Sequence, residues 1–113
     1  MEQAMITQQD LLSKLSPLVN EISTLECVKY IILFGSFARG DQNIASDVDI
    51  AVIHNSQTPG ELRRQLSRSL CDSYCVTEDI QFTTIQEAVF KTDNHPLNVS
   101  HSIKKEGVVL WQR

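Results

Sequence analysis

The stretch Cys27-Val-Lys-Tyr-Ile-Ile-Leu-Phe-Gly-Ser36, followed after ten residues by Asp47-Val-Asp-Ile-Ala-Val-Ile-His54, decides the fold. Cys27 to Phe34 is rich in β-formers and apolar at every position past Lys29, so both its faces need cover. That predicts a central strand. Gly35-Ser36 ends it, and Phe37 to Gly40 has room only for a short helical turn. Asp41 to Ser46 reads as polar loop. Asp47 to His54 reads as a second strand whose apolar character begins only after its two acids.

Upstream, Leu11, Leu15, Leu18 and Ile22 fall at helical spacing and predict an amphipathic helix from about Thr7 to Thr24. Thr7 with Asp10 resembles a capping box. Ser16-Pro17 leaves either one kinked helix or two short ones. Downstream, Asn55 to Gly60 is rich in turn residues, and Glu61 to Asp72 predicts a helix with Leu62, Leu66 and Leu70 inward. Val76 to Thr83 predicts a third strand, with Thr83 or Thr84 capping a short helix through Phe90. Asn94-His95-Pro96 opens a last helix to about Lys105, with Gly107 just past its end. Val108 to Trp111 is expected to dock as an edge strand. The sum is an α/β domain whose small sheet is covered by helices.

The 113 residues suit one domain, residues 1–113, and 42% hydrophobic content suits a packed core. No apolar run approaches membrane-spanning length, and the start of the chain has neither a basic nor an apolar leader, so no membrane partner is expected. Three cysteines without regular spacing argue against a disulfide scaffold and fit a reducing, cytoplasmic setting. Ten Lys and Arg against fourteen Asp and Glu give a net charge of -4. Binding to a nucleic-acid backbone by charge alone is therefore not expected. A phosphate ligand would need backbone amides, a metal ion or a local basic cluster.

The acids supply the chemistry. Asp47 and Asp49 stand one pleat apart on the same face. Side by side they repel, and against an apolar sheet they are costly unless a cation sits between them. Hard oxygens in that arrangement suit Mg²⁺, which takes one or two protein carboxylates and fills its shell with water and phosphate oxygens. Gly35 lets a phosphate approach the backbone, the turn after it offers amides, and Ser36 adds a hydroxyl. Neither Gly-Ser nor Asp-x-Asp carries weight alone. On adjacent strands they predict a site for a nucleoside triphosphate and magnesium.

Gly35-Ser-Phe-Ala-Arg-Gly40 with Ser46-Asp-Val-Asp-Ile-Ala-Val52 resembles the signature of the DNA polymerase β-like nucleotidyltransferase superfamily. The short chain resembles its minimal nucleotidyltransferases (MNT). The likeness is strong from about Val28 to Val52. Elsewhere it rests on the order of elements and on Ile103-Lys-Lys-Glu-Gly-Val-Val-Leu110, a common ending in these proteins. It implies an α/β (α+β) fold, a small mixed sheet flanked by helices. It also implies a third carboxylate on the strand after the connecting helix, where Glu78 and Asp79 are the candidates. Alternation sets Asp79 with Thr77, Gln81 and Thr83 on a polar face and Glu78 with Ile80 and Phe82 on an apolar one. The family's apolar-acid-apolar pattern also favours Asp79, although Glu78 rather than an aliphatic residue precedes it.

By that resemblance Asp47, Asp49 and Asp79 hold two Mg²⁺ ions, and Asp79 takes the proton of the attacking hydroxyl. Gly35 and Ser36 hold the triphosphate of ATP. Arg39 can either reach the phosphates or pair with an acid. Larger relatives carry an acceptor-binding domain for which this chain has no room. Minimal relatives are paired with helical HEPN-domain toxins, as antitoxins that add AMP to a toxin tyrosine, so a HEPN toxin is the partner implied. An antitoxin acting by occlusion, or an enzyme acting on a small molecule such as an antibiotic, are the competing functions. Arg63, Arg64 and Arg68 read first as a solvated face. His54, His95 and His101 lack ligand spacing, and Cys27, Cys71 and Cys75 read as packed thiols.

Overall fold

A strand apolar on both faces must lie inside a sheet, and the computed structural model, which describes residues 8–40, 47–73, 80–92 and 99–113, puts it there. The elements in chain order are α1 (Gln8–Ser23), β1 (Val28–Phe34), α2 (Ser36–Arg39), β2 (Val48–His54), α3 (Pro59–Ser73), β3 (Ile80–Gln86), α4 (Glu87–Thr92), α5 (Val99–Glu106) and β4 (Val108–Gln112). The four strands run in the order β3-β2-β1-β4. β1 pairs antiparallel with both β2 and β4, whereas β2 and β3 are parallel, so the sheet is mixed. The parallel pair needs a crossover, and α3 is part of that connection.

Alternation along the strands divides the apolar residues between two cores. Ile31, Leu33, Ile50 and Val52 pack with Leu11, Leu15 and Leu18 of α1 and Leu62 and Leu66 of α3. Ile32, Ala51 and Ile53 point the other way, into a smaller cluster with Ile85, Phe90 of α4 and Ile103 of α5. Among the described residues, no helix is long and apolar enough to cross a membrane.

Several boundaries differ from the sequence reading, each for a local reason. Pro17 lies inside one continuous α1, exposed on the helix face away from the core. α3 begins at Pro59, with Thr58 accepting from the Leu62 amide (3.1 Å) and donating its own to the Ser56 hydroxyl (3.0 Å). Proline suits a first helical position because its missing N–H has no partner there. Thr83 and Thr84 cap nothing. They sit mid-strand, because β3 matches all seven residues of β2, from Val48 opposite Ile80 to His54 opposite Gln86. The predicted start of that strand and the opening of the last helix at Asn94 lie outside the described residues.

Candidate active site

Phe34 is the direct cross-strand partner of Asp49, so the end of β1 delivers the next residue, Gly35, onto that carboxylate. Gly35 has φ 78 and ψ -155, a conformation all but closed to residues with a side chain. A Cβ there would lie 3.2 Å from Asp49 Cγ and 3.3 Å from its Cβ, and would overlap Oδ2 outright. Only a hydrogen fits between the Gly35 backbone and the acid. The Gly35 carbonyl then accepts from the Ala38 and Arg39 amides, both at 3.1 Å, which winds α2. Phe37, fully buried in the larger core, anchors that turn.

Asp49 is half-buried on the smaller-core face, and Asp47 is exposed just before β2. Burial pushes the Asp49 carboxyl above its ordinary value, the neighbouring Asp47 charge pushes it further, and Arg39 opposes both. In an acid raised in this way, burial and like charge outweigh the counter-charge that Arg39 supplies. Asp49 under the bare Gly35 backbone, with Asp47 two residues before it, is a hard-oxygen donor set that fits magnesium. Among the described residues, no three carboxylate, imidazole or thiol groups gather as a ligand set. Glu78 and Asp79 lie outside the described residues; Ile80, which follows them, pairs with Val48, and Gln81 pairs with Asp49.

Gly35, Ser36, Asp47, Asp49 and Arg39 thus gather where β1 ends and β2 begins. Of the two partners open to Arg39, an acid is present: its Nη1 donates to Glu106 Oε2 at 3.2 Å. The sequence places Glu106 only in the Ile103–Leu110 ending and carries no sign of its link to Arg39, 67 residues away. His54 stands at the far end of β2 from the acids, buried, with Nδ1 accepting from the Ser56 amide at 3.0 Å. Burial lowers its pKa. Cys27 is a free thiol packed against the larger core, and Arg64 pairs with Glu61 along α3.

This is a nucleotidyltransferase-type domain, and residues 17–113 match the family described as "Polymerase beta, Nucleotidyltransferase". The chain belongs to that family. No curated protein matches it. Among solved structures, a candidate nucleotidyltransferase from Sulfolobus solfataricus is similar with a TM-score of 0.64 and 22% identity, over 94% of this chain and 84% of that one. A toxin–antitoxin structure with AMP-PNP is similar at 0.61 and 22% identity, over 90% and 73%. A structure of tri-AMPylated Shewanella oneidensis HEPN toxin in complex with MNT antitoxin is similar at 0.57 and 20% identity, over 95% and 74%. These likenesses are likenesses of fold.

Proposed function

We propose that residues 1–113 form one magnesium-dependent nucleotidyltransferase domain. It transfers AMP from ATP to a tyrosine hydroxyl of a HEPN-type toxin in the cytoplasm and thereby acts as an antitoxin. The observation that carries this reading is the Asp49 carboxylate, raised by burial and by Asp47, lying under the Gly35 backbone where no side chain fits. The folds of the AMP-PNP-bound toxin–antitoxin structure and of the tri-AMPylated toxin complex support the choice of nucleotide and partner.

The roles follow from the chemistry of each group. Gly35 and Ser36 hold the triphosphate through backbone and hydroxyl donors, and Arg39 adds a charge-assisted contact. Asp47 and Asp49 hold the magnesium, with Asp79 as the third carboxylate. Bound there, magnesium neutralises phosphate charge and polarises the phosphoryl oxygens. The tyrosine oxygen bonds to the α-phosphorus, the bond from that phosphorus to the bridging oxygen breaks, and pyrophosphate leaves. Asp79 accepts the hydroxyl proton. Most of the rate comes from holding that hydroxyl in line, a task left to the partner that presents it.

The test is mass spectrometry of a co-expressed HEPN partner after incubation with this chain, ATP and Mg²⁺. Added AMP on tyrosine supports the reading. A silenced but unmodified partner favours occlusion. Asp79→Asn should lose turnover with less effect on ATP binding than Asp47→Asn, and a lethal Glu78→Gln beside a harmless Asp79→Asn would move the third carboxylate to Glu78.

A further inference from the structure

Glu106 ends α5 one residue before the chain turns into β4, and its carboxylate meets Arg39 at the end of α2. The turn that carries Glu106 is tightly held. The Gly107 amide donates to the Ile103 carbonyl at 2.8 Å, and any side chain at Gly107 would overlap that carbonyl and the Ile32 side chain. Ile103 itself is 1% exposed. Glu106 is therefore positioned by buried neighbours. Arg39, by contrast, is 46% exposed and rides on a four-residue helix. Its charge reaches Asp49, where it opposes the burial and the Asp47 repulsion. A long side chain in that situation loses rotamer freedom on gripping a phosphate unless something already restrains it.

From this pairing we infer that Glu106 is a positioning residue for Arg39, restraining the guanidinium at the end of the turn that follows Gly35 so that it meets the triphosphate already ordered. The inference rests on the nucleotide-binding reading above. A guanidinium carries five donors, so a bond to Glu106 and a contact with phosphate are compatible. The bridge itself, being partly exposed, contributes little to stability. Its consequence falls on ligand affinity.

The test is a double-mutant cycle on the full chain, read by calorimetric binding of AMP-PNP in the presence of Mg²⁺. Glu106→Gln keeps the length of the side chain and removes its charge. It should weaken AMP-PNP binding by about 3–10-fold, the scale of one side chain's ordering cost, with the melting temperature nearly unchanged. Arg39→Gln should weaken binding at least as much, and the double variant should bind no worse than Arg39→Gln alone. Glu106→Gln binding as well as or better than the parent would overturn the inference, the latter because Glu106 would then compete with phosphate for the arginine. An equal loss from Glu106→Gln in the Arg39→Gln background would overturn it too, since the effect would not pass through Arg39. Failure of the parent chain to bind AMP-PNP at all would sink the nucleotide reading, a result distinct from either.

Discussion

Replacing Gly35 by alanine tests the arrangement at its tightest point. Two costs are expected. The backbone at φ 78 and ψ -155 is essentially a glycine conformation, and holding an alanine in such a region costs about 1–3 kcal/mol. The new methyl also meets Asp49 at 3.2 Å from Cγ and 3.3 Å from Cβ, with Oδ2 closer still, so the carboxylate must swing aside. At roughly 4 °C per kcal/mol for a domain of this size, the backbone cost alone should lower the melting temperature by about 4–12 °C, and the displaced carboxylate adds to it. On the proposed metal-holding role of Asp49, its displacement should weaken Mg²⁺-dependent AMP-PNP binding by about 30-fold or more. Gly40→Ala supplies the control. Gly40 also has a positive φ, 79, but among the described residues, its chain neighbours aside, no atom lies within 4 Å of where its Cβ would be. Its substitution should cost about 1–2 kcal/mol and leave AMP-PNP affinity alone. Scanning calorimetry and titration calorimetry on the two variants read both quantities. If Gly35→Ala bound AMP-PNP like the parent, the close approach would not be what aligns Asp49.

Asp49→Asn should abolish transfer without unfolding the protein. Because the Asp49 pKa is raised in the folded state, the folded chain holds that proton more tightly than the unfolded one, and stability falls as pH rises from 3.8 through the folded value. The metal-free asparagine variant should therefore match or exceed the parent's melting temperature at pH 7 and lose that advantage near the acid end of a pH series. His54 acts in the opposite sense: its pKa is lowered, so stability is lost as pH falls below 6.5, and His54→Asn, which keeps an acceptor near Nδ1, should flatten that part of the profile. Leu66→Ala, at a 1% exposed site in the larger core, should cost about 2–5 kcal/mol by chemical denaturation. Arg113→Ala removes donors to the carbonyls of Val28, Ser23 and Leu25, and should cost about 1 kcal/mol in the same assay because water can replace much of what is lost.

The two strands that build the site are legible in the sequence because their signals are local. A run apolar on both faces has to be a covered strand, and the apolar residues after the acids mark the next, which begins at Val48 with Asp49 inside it and Asp47 just before it. Legibility fails where a residue type serves two structures. Threonine is both a helix cap and a strand former, so Thr83 and Thr84 could not be assigned until pairing with all of β2 decided the matter. Proline likewise kinks a helix interior but suits a helix start, and Pro17 and Pro59 take one setting each. The bond from Arg39 to Glu106 is illegible for another reason. Its partners meet only because α2 and α5 both pack against β1, a tertiary event with no trace in local pattern.

The ladder between β1 and β2 has a consequence for how such a site can change over evolution. Phe34 faces Asp49 because two antiparallel strands are in register, not because the intervening chain has a particular length. The ladder alone sets that register, and the number of residues between Gly40 and Asp47 does not enter it. Residues can be inserted or removed there while Phe34 and Asp49 remain opposite each other, so long as the two strands keep their pairing. A one-residue slip in that pairing would instead turn the acid to the other face of the sheet, with every motif residue still present. The length of the span between the two motifs is therefore independent of the strand register, whereas the alternation within Val48–His54 sets the face on which Asp49 stands.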